Sequence, residues 1–215
     1  MEHIDITIIG AGIVGLAIAY EMSDTGRNIV VIERNDGFGR ETSSRNSEVI
    51  HGGIYYPEGS LKASLCVEGR KLVYDICRRH GIPFRKTGKI IVAPTPAQIP
   101  KLERLKKRGD ANGVENLCML DKSELAVLEP DVGAEAGLLS PETGIFDTHR
   151  FMAYLERKAS TDVTFAYRCE VEGVAPKRDG YVIDIKDADG ERYRLKSRIV
   201  INAAGLGAER IARMA

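Results

Sequence analysis

Apolar and polar positions change rhythm several times along the chain. Ile4 to Ile9 is a dense, β-branched run, Ile13 to Ser23 suits a helix that Gly26 can end, and Ile29 to Ile32 is a short unbroken apolar run. The order is strand, glycine-rich turn, helix, strand, which is a βαβ unit with a parallel pair. From Asp36 to Gly59 the sequence turns polar and glycine-rich with little periodicity. That is long for a plain connection, so a bound ligand is expected there.

Ser60 then caps a helix on which Leu61, Leu65, Leu72 and Ile76 share one face, and Gly81 follows its basic end at Arg78, Arg79 and His80. Lys89 to Val92 reads as a strand. Thr95-Pro96 opens a helix with Ile99, Leu102 and Leu105 on one side, and Asp121 to Glu124 forms a capping box for a short helix ending before Pro130. A helix at about Arg150 to Ala159 precedes strand-like runs at Val163 to Val174, Tyr181 to Lys186, Arg192 to Leu195 and Arg198 to Asn202. Short turns at Arg178 to Gly180 and Asp187 to Gly190 make much of this region an antiparallel meander.

Composition narrows the function. The 215 residues carry 31 Lys and Arg against 31 Asp and Glu, so no net charge draws the chain to nucleic acid. With 43% hydrophobic residues it can bury a real core. Cys66, Cys77, Cys118 and Cys169 lie far apart with no C-x-x-C pair, which argues against a zinc site or redox dithiol and for a reducing compartment. The most apolar stretch, Ile4 to Tyr20, lacks a basic leader and is broken by glycines, so it is neither signal peptide nor membrane span. A cytoplasmic protein, peripheral at most to the inner face of a membrane, is expected. The basic stretch from Lys101 to Arg108 reads as the wet face of an amphipathic helix, with anionic lipid as the alternative contact.

Gly10-Ala11-Gly12-Ile13-Val14-Gly15 matches G-x-G-x-x-G in its proper strand-to-helix context. The first glycine serves the turn, the second the approach of a pyrophosphate, and the third the packing of helix on strand. Glu33 closes the second strand about 20 residues on, where a carboxylate accepts hydrogen bonds from ribose hydroxyls and repels a 2′-phosphate. NAD and FAD both satisfy this. The segment Glu41-Thr42-Ser43-Ser44-Arg45-Asn46-Ser47, with its hydroxyls and an Arg, favours the longer flavin nucleotide through further contacts to pyrophosphate and ribitol, and Arg34 beside Glu33 is a further candidate contact to the cofactor.

The fingerprint from Ile6 through Gly10, Gly12, Gly15, Ala19, Gly26 and Glu33 resembles that of the FAD-dependent oxidoreductases of the D-amino-acid oxidase superfamily. The runs Ser44 to Tyr56, Gly59 to Ala63, Cys66 to Gly69, Gly88 to Ala93 and Thr143 to Asp147 resemble more narrowly the L-2-hydroxyglutarate dehydrogenases and oxidases. The resemblance implies FAD as cofactor and a short 2-hydroxy dicarboxylic acid, L-2-hydroxyglutarate, as substrate, oxidised to the 2-oxo acid. It implies a second approach to the nucleotide at Ala203-Ala204-Gly205 and backbone contact with adenine near Val171. Glycerol-3-phosphate dehydrogenases share the His-Gly-Gly run but carry Arg where this chain has Tyr55, which disfavours a phosphate substrate. Family members continue for about as much chain again, so this chain corresponds to their N-terminal half. The expected fold is α/β, a Rossmann-like FAD-binding domain at 1–85 and 145–215 with an antiparallel meander, and part of an α+β substrate or cap domain at 86–144.

Oxidising a secondary alcohol needs a base for its proton, and His51, beside Gly52-Gly53, is the candidate. Covalent flavin attachment at His51 and a merely flavin-adjacent or structural role stay open. Tyr55 and Tyr56 are candidate hydrogen-bond donors to substrate or packing residues, and Lys62 and Arg85 candidate carboxylate partners or surface residues. His3, His80 and His149 have no functional neighbours in sequence. Oxygen, a quinone and a protein carrier are equal candidates for electron acceptor. The competing functional class is a non-catalytic nucleotide-binding remnant; a related amino-acid oxidase would share the fingerprint without the His51 to Tyr56 run.

Overall fold

Glycine turns, caps and apolar runs set the order of elements in the computed structural model, which describes residues 2–215. The order is β1 (Glu2–Ile9), α1 (Ile13–Met22), β2 (Ile29–Ile32), β3 (Val49–Ile50), α2 (Leu61–His80), β4 (Phe84–Arg85), β5 (Ile90–Ala93) and α3 (Ile99–Ala111). It continues with β6 (Cys118–Asp121), α4 (Lys122–Leu128), β7 (Ala136–Leu139), β8 (Gly144–Phe146), α5 (Thr148–Ala159), β9 (Val163–Ala166), β10 (Glu170–Lys177), β11 (Gly180–Lys186), β12 (Arg192–Asn202) and α6 (Ala208–Ala212). Two compact units result, Met1–Asn46 with Thr148–Ala215, and Ser47–Asp147.

The first unit is built on a six-stranded sheet in the order β10-β11-β12-β1-β2-β9. β12, β1, β2 and β9 are parallel, and β10, β11 and β12 form the antiparallel meander. β2 is buried at every position, as its unbroken apolar run requires. The runs 192–195 and 198–202 are one strand: its first half pairs antiparallel with β11 and its second half parallel with β1. Ser197, in the middle of that strand, accepts the buried Thr7 hydroxyl at 2.9 Å and donates to the Ile199 carbonyl at 2.8 Å, so the polar interruption read as a gap is satisfied internally.

The run read as Val163 to Val174 is two strands at opposite edges of the sheet. Arg168 takes a left-handed backbone with φ of 56°. Its N–H donates to the Asn35 carbonyl and that of Cys169 to the Glu33 carbonyl, both at 2.9 Å, so the chain crosses the carboxyl end of β2 between the two strands. Periodicity sees both strands as apolar and says nothing of the crossing.

The second unit holds two antiparallel three-stranded sheets, β3-β8-β4 and β5-β7-β6. Pairing of Val49 with Ile145 and Ile50 with Gly144 joins its two ends, which puts the unit's boundaries at 46/47 and 147/148. α2, expected with the nucleotide part, therefore belongs here. α2 is capped as read, with the Ala63 N–H on Ser60 Oγ at 3.3 Å and Gly81 left-handed at its end. Its packing is reversed. Ala63, Arg70, Tyr74 and Cys77 are buried, whereas Leu61, Leu65 and Leu72 are 77%, 59% and 55% exposed. The inward face is held by polar anchors that hydropathy discounts: Tyr74 Oη donates to the Glu142 carbonyl at 3.0 Å and Arg70 pairs with Glu115 at 2.9 Å.

α3 follows a Thr95–Gln98 capping box and turns Leu102 into a core with Ile54, Val114, Leu117 and Leu138. Asp121 and Glu124 cap α4 reciprocally, as their spacing predicts. No helix among the described residues is long and apolar enough to cross a membrane.

Candidate functional site

In the first unit, a cavity of about 250 Å³ opens where β1, β2 and β12 reach their carboxyl ends. This is the edge at which open α/β sheets hold ligands. Gly10 has φ of 104°, and a Cβ there would stand 2.6 Å from the Ala203 carbonyl oxygen. A Cβ on Gly15 would collide with the Gly10 carbonyl oxygen. Glycine at these two positions lets the turn fold beneath α1 and against the strand end at 203.

α1 starts at Gly12, whose missing side chain provides no cap. Ser43 reaches across from the polar segment instead, and its Oγ accepts the Ile13 N–H at 3.0 Å. The N-terminus of α1 thus borders the cavity with its positive dipole end, which suits an anion.

Glu33, at the end of β2, is 9% exposed and lines the same cavity. Its Oε2 accepts the Ala11 N–H at 2.9 Å, and Oε1 accepts both the N–H and the Nδ2–H of Asn35, at 2.8 and 2.7 Å. Beside it Arg34 pairs with Glu41. That ion pair raises the guanidinium's pKa and, with an Asn35 hydrogen bond, holds the Glu41 carboxyl below its ordinary range.

The cavity collects most of the expected nucleotide residues: Gly10, Gly12, Ile13 and Val14 from the turn, Glu33 and Arg34 after β2, and Thr42 and Ser43 from the polar segment. Val171 and the stretch Ala203-Ala204-Gly205 complete them. Gly15 lies buried behind the turn and is not a wall residue. Ser44, Arg45 and Asn46 are exposed and off the wall; Ser44 Oγ donates to the Glu41 carbonyl at 2.9 Å and Asn46 Nδ2 to the Ser43 carbonyl at 2.8 Å, holding the loop in shape. Sequence reasoning named Glu41 only as the start of the polar segment and missed Asn35, Gly39, Cys169, Glu170 and Arg210, which also line it. The sole signal for the last three was their neighbourhood to Val171 and to the 203–205 stretch.

Ser47, His51, Gly52 and Tyr55 belong to the second unit. His51 is exposed, and its carbonyl accepts the Cys66 thiol at 3.5 Å. Gly52 is buried beside the Ser140–Thr143 hydroxyl pair, whose oxygens stand 3.0 Å apart. The loop is pinned by Asn112, absent from the sequence expectations, whose Nδ2 donates to the carbonyls of Gly53 and Tyr56 at 3.1 and 2.9 Å. Tyr55 and Tyr56 each lie under an ammonium, Lys89 at 4.6 Å and Lys62 at 4.8 Å from the ring centres. Arg85 is exposed on β4, and His149 packs against Phe38 at 5.5 Å.

A family profile described as "FAD dependent oxidoreductase" (DAO) matches residues 5–215. The chain belongs to this family. Among curated relatives, this FAD-dependent oxidoreductase chain is 40% identical to "L-2-hydroxyglutarate dehydrogenase, mitochondrial" of Arabidopsis thaliana, over 99% of this chain and 50% of that protein. It is 35% identical to the human protein of the same name, over 98% of this chain and 48% of that one. It thus spans about half the length of the curated relatives it matches. Among solved structures, the FAD-bound L-α-glycerophosphate oxidase of Mycoplasma pneumoniae superposes with a TM-score of 0.91 at 32% identity, covering all of this chain and 57% of that one. Glycine oxidase of Geobacillus kaustophilus, at 22% identity and a TM-score of 0.85, shares the fold.

Proposed function

We propose that this chain binds FAD in the cavity of its first unit and serves the oxidation of a 2-hydroxy acid, L-2-hydroxyglutarate to 2-oxoglutarate. The observation that carries the first part is the joining of α1's N-terminus, the Glu33 carboxylate and the 203–205 backbone around one cavity. The residues fit the nucleotide. The dipole end of α1 suits the pyrophosphate, Glu33 keeps a free acceptor position for a ribose hydroxyl, and Ile32, Val171 and Ile211 offer apolar surface to adenine. The choice of substrate is supported by the relatives' names and by the His51 to Tyr56 run.

FAD, when bound, supplies the acceptor for the two electrons and the carbon-bound hydrogen of the alcohol. The chain supplies the rest. His51 takes the hydroxyl proton on its imidazole. Asn112, by holding the carbonyls of Gly53 and Tyr56, keeps the loop that carries His51 and Tyr55 in one shape. Tyr55 hydrogen-bonds substrate, while Lys89 and Lys62, each over a tyrosine ring, are candidate cations for substrate carboxylates in this unit. A cytoplasmic location, with membrane contact at most peripheral, completes the proposal; it rests on the wide spacing of the four cysteines, with no C-x-x-C pair.

The likeness to a glycerophosphate oxidase favours one competing substrate, sn-glycerol 3-phosphate. The test is the visible spectrum of the protein reconstituted with FAD, recorded anaerobically before and after each compound. Bleaching by L-2-hydroxyglutarate alone supports the proposal. Bleaching by glycerol 3-phosphate alone reverses the substrate assignment, and a colourless protein that takes up no FAD removes the cofactor assignment.

A further inference from the structure

We propose that Asn35 is the positioning residue for Glu33, fixing which lone pair of that carboxylate meets the ribose, and that the Arg34–Glu41 ion pair braces it. The inference rests on the reading of the cavity as the FAD site. Two carboxylate oxygens flank one terminal atom of Asn35: Nδ2 lies 2.7 Å from Glu33 Oε1 and 3.2 Å from Glu41 Oε1. An amide oxygen there would face two acceptors, so that atom is the NH₂ group and both of its hydrogens are engaged. The Asn35 N–H gives Glu33 Oε1 a second donor at 2.8 Å.

A carboxylate has about four acceptor positions. Ala11 occupies one on Oε2 and Asn35 occupies two on Oε1, so the remaining position lies on Oε2. Asn35 thereby keeps the carboxylate from turning its other oxygen to the ligand. It also holds Glu41 close to Glu33, a juxtaposition that would be repulsive without Arg34, whose Nε donates to Glu41 at 2.8 Å. The other charges around the site are paired: Arg210 with Glu170 at 3.0 Å and Arg40 with Asp36 at 3.0 Å. Asn35 is anchored in turn, since its carbonyl accepts the Arg168 N–H at 2.9 Å.

The consequence is ribose discrimination that depends on Asn35. FAD affinity is measured on the whole chain by flavin fluorescence, and ADP, 2′-deoxy-ADP and 3′-deoxy-ADP are titrated as displacers. The wild type is expected to prefer ADP over at least one deoxy analogue by about tenfold. Asn35→Ala is expected to weaken FAD by about tenfold and to level that preference, a readout that a merely structural role would leave in place. Asn35→Asp keeps the shape and sets a carboxylate against Glu33 and Glu41, so it is expected to level the preference too; it decides the matter if the alanine variant fails to fold. Wild-type preference retained in the folded variants overturns the inference alone. A wild type that binds no FAD removes the FAD reading and the inference together.

Discussion

The carboxylate of Glu33 and the N–H of Ala11 are bonded at 2.9 Å, tying the end of β2 to the glycine turn that follows β1. One residue therefore shapes the turn and lines the cavity. Its removal affects both the empty protein and the bound one.

Glu33→Ala leaves the N–H groups of Ala11 and Asn35 without their acceptor. Loss of about 1–3 kcal/mol of stability is expected in a urea unfolding curve of the FAD-free chain, together with weaker FAD binding. A variant with wild-type stability would show that the turn does not depend on this bond.

Glycines 12 and 15 are expected to separate binding from folding. A Cβ on Gly15 meets backbone that cannot move aside, so Gly15→Ala should cost about 3 kcal/mol of stability, read from a urea unfolding curve. A Cβ on Gly12 meets only the Ser43 hydroxyl at 3.1 Å, and its φ of −74° suits any residue. Gly12→Ala should therefore stay within about 1 kcal/mol of wild-type stability. FAD titration should nevertheless show a clear loss of affinity, because the methyl group stands at the cavity wall.

The reversed packing of α2 predicts opposite costs on its two faces. Leu65→Ala, at an exposed position, should change stability by no more than about 0.5 kcal/mol. Tyr74→Ala should cost about 3–5 kcal/mol, since it empties a buried site against Phe84 and strands the Glu142 carbonyl. Equal costs in thermal denaturation would contradict the orientation of the helix.

Cys77 is buried, and burial pushes its thiol up to about 11. Above the ordinary thiol range of about 8.5 the unfolded chain releases this proton first. The folded state then binds more protons than the unfolded one, so this contribution to stability is present below that pH and is lost as pH rises towards the folded value. Cys77→Ala should flatten the alkaline limb of a stability–pH profile while lowering it throughout. In the native protein a thiol reagent should modify the exposed Cys118 first and Cys77 last.

For His51, replacement by Ala should slow flavin reduction by L-2-hydroxyglutarate about 10²–10⁴-fold with FAD still bound, measured by anaerobic stopped flow. An unaltered rate would discard the assignment of the base.

Local chemistry alone determined a good deal of this protein. The βαβ unit, the caps at Ser60, Thr95 and Asp121, and the pairing of Gly10 with Glu33 could be read from the sequence because each rests on residue types at fixed spacing; Ser43 came from the polarity of its segment, and Ala203 from the family resemblance. Tertiary structure decided what spacing does not encode. That β9 and β10 part to opposite edges depends on hydrogen bonds from Arg168 and Cys169 to residues far back in the chain. That the second unit opens at Ser47 depends on Val49 pairing with Ile145. The inward face of α2 was hidden because hydropathy ranks leucine above tyrosine and arginine, whereas in the fold the Tyr74 hydroxyl meets the Glu142 carbonyl, Arg70 Nη2 meets Glu115, and the leucines do not meet the core. Asn35 and Asn112 escaped notice for the same reason: an amide has no pattern of its own, and acquires a role only when the fold brings two acceptors to its hydrogens.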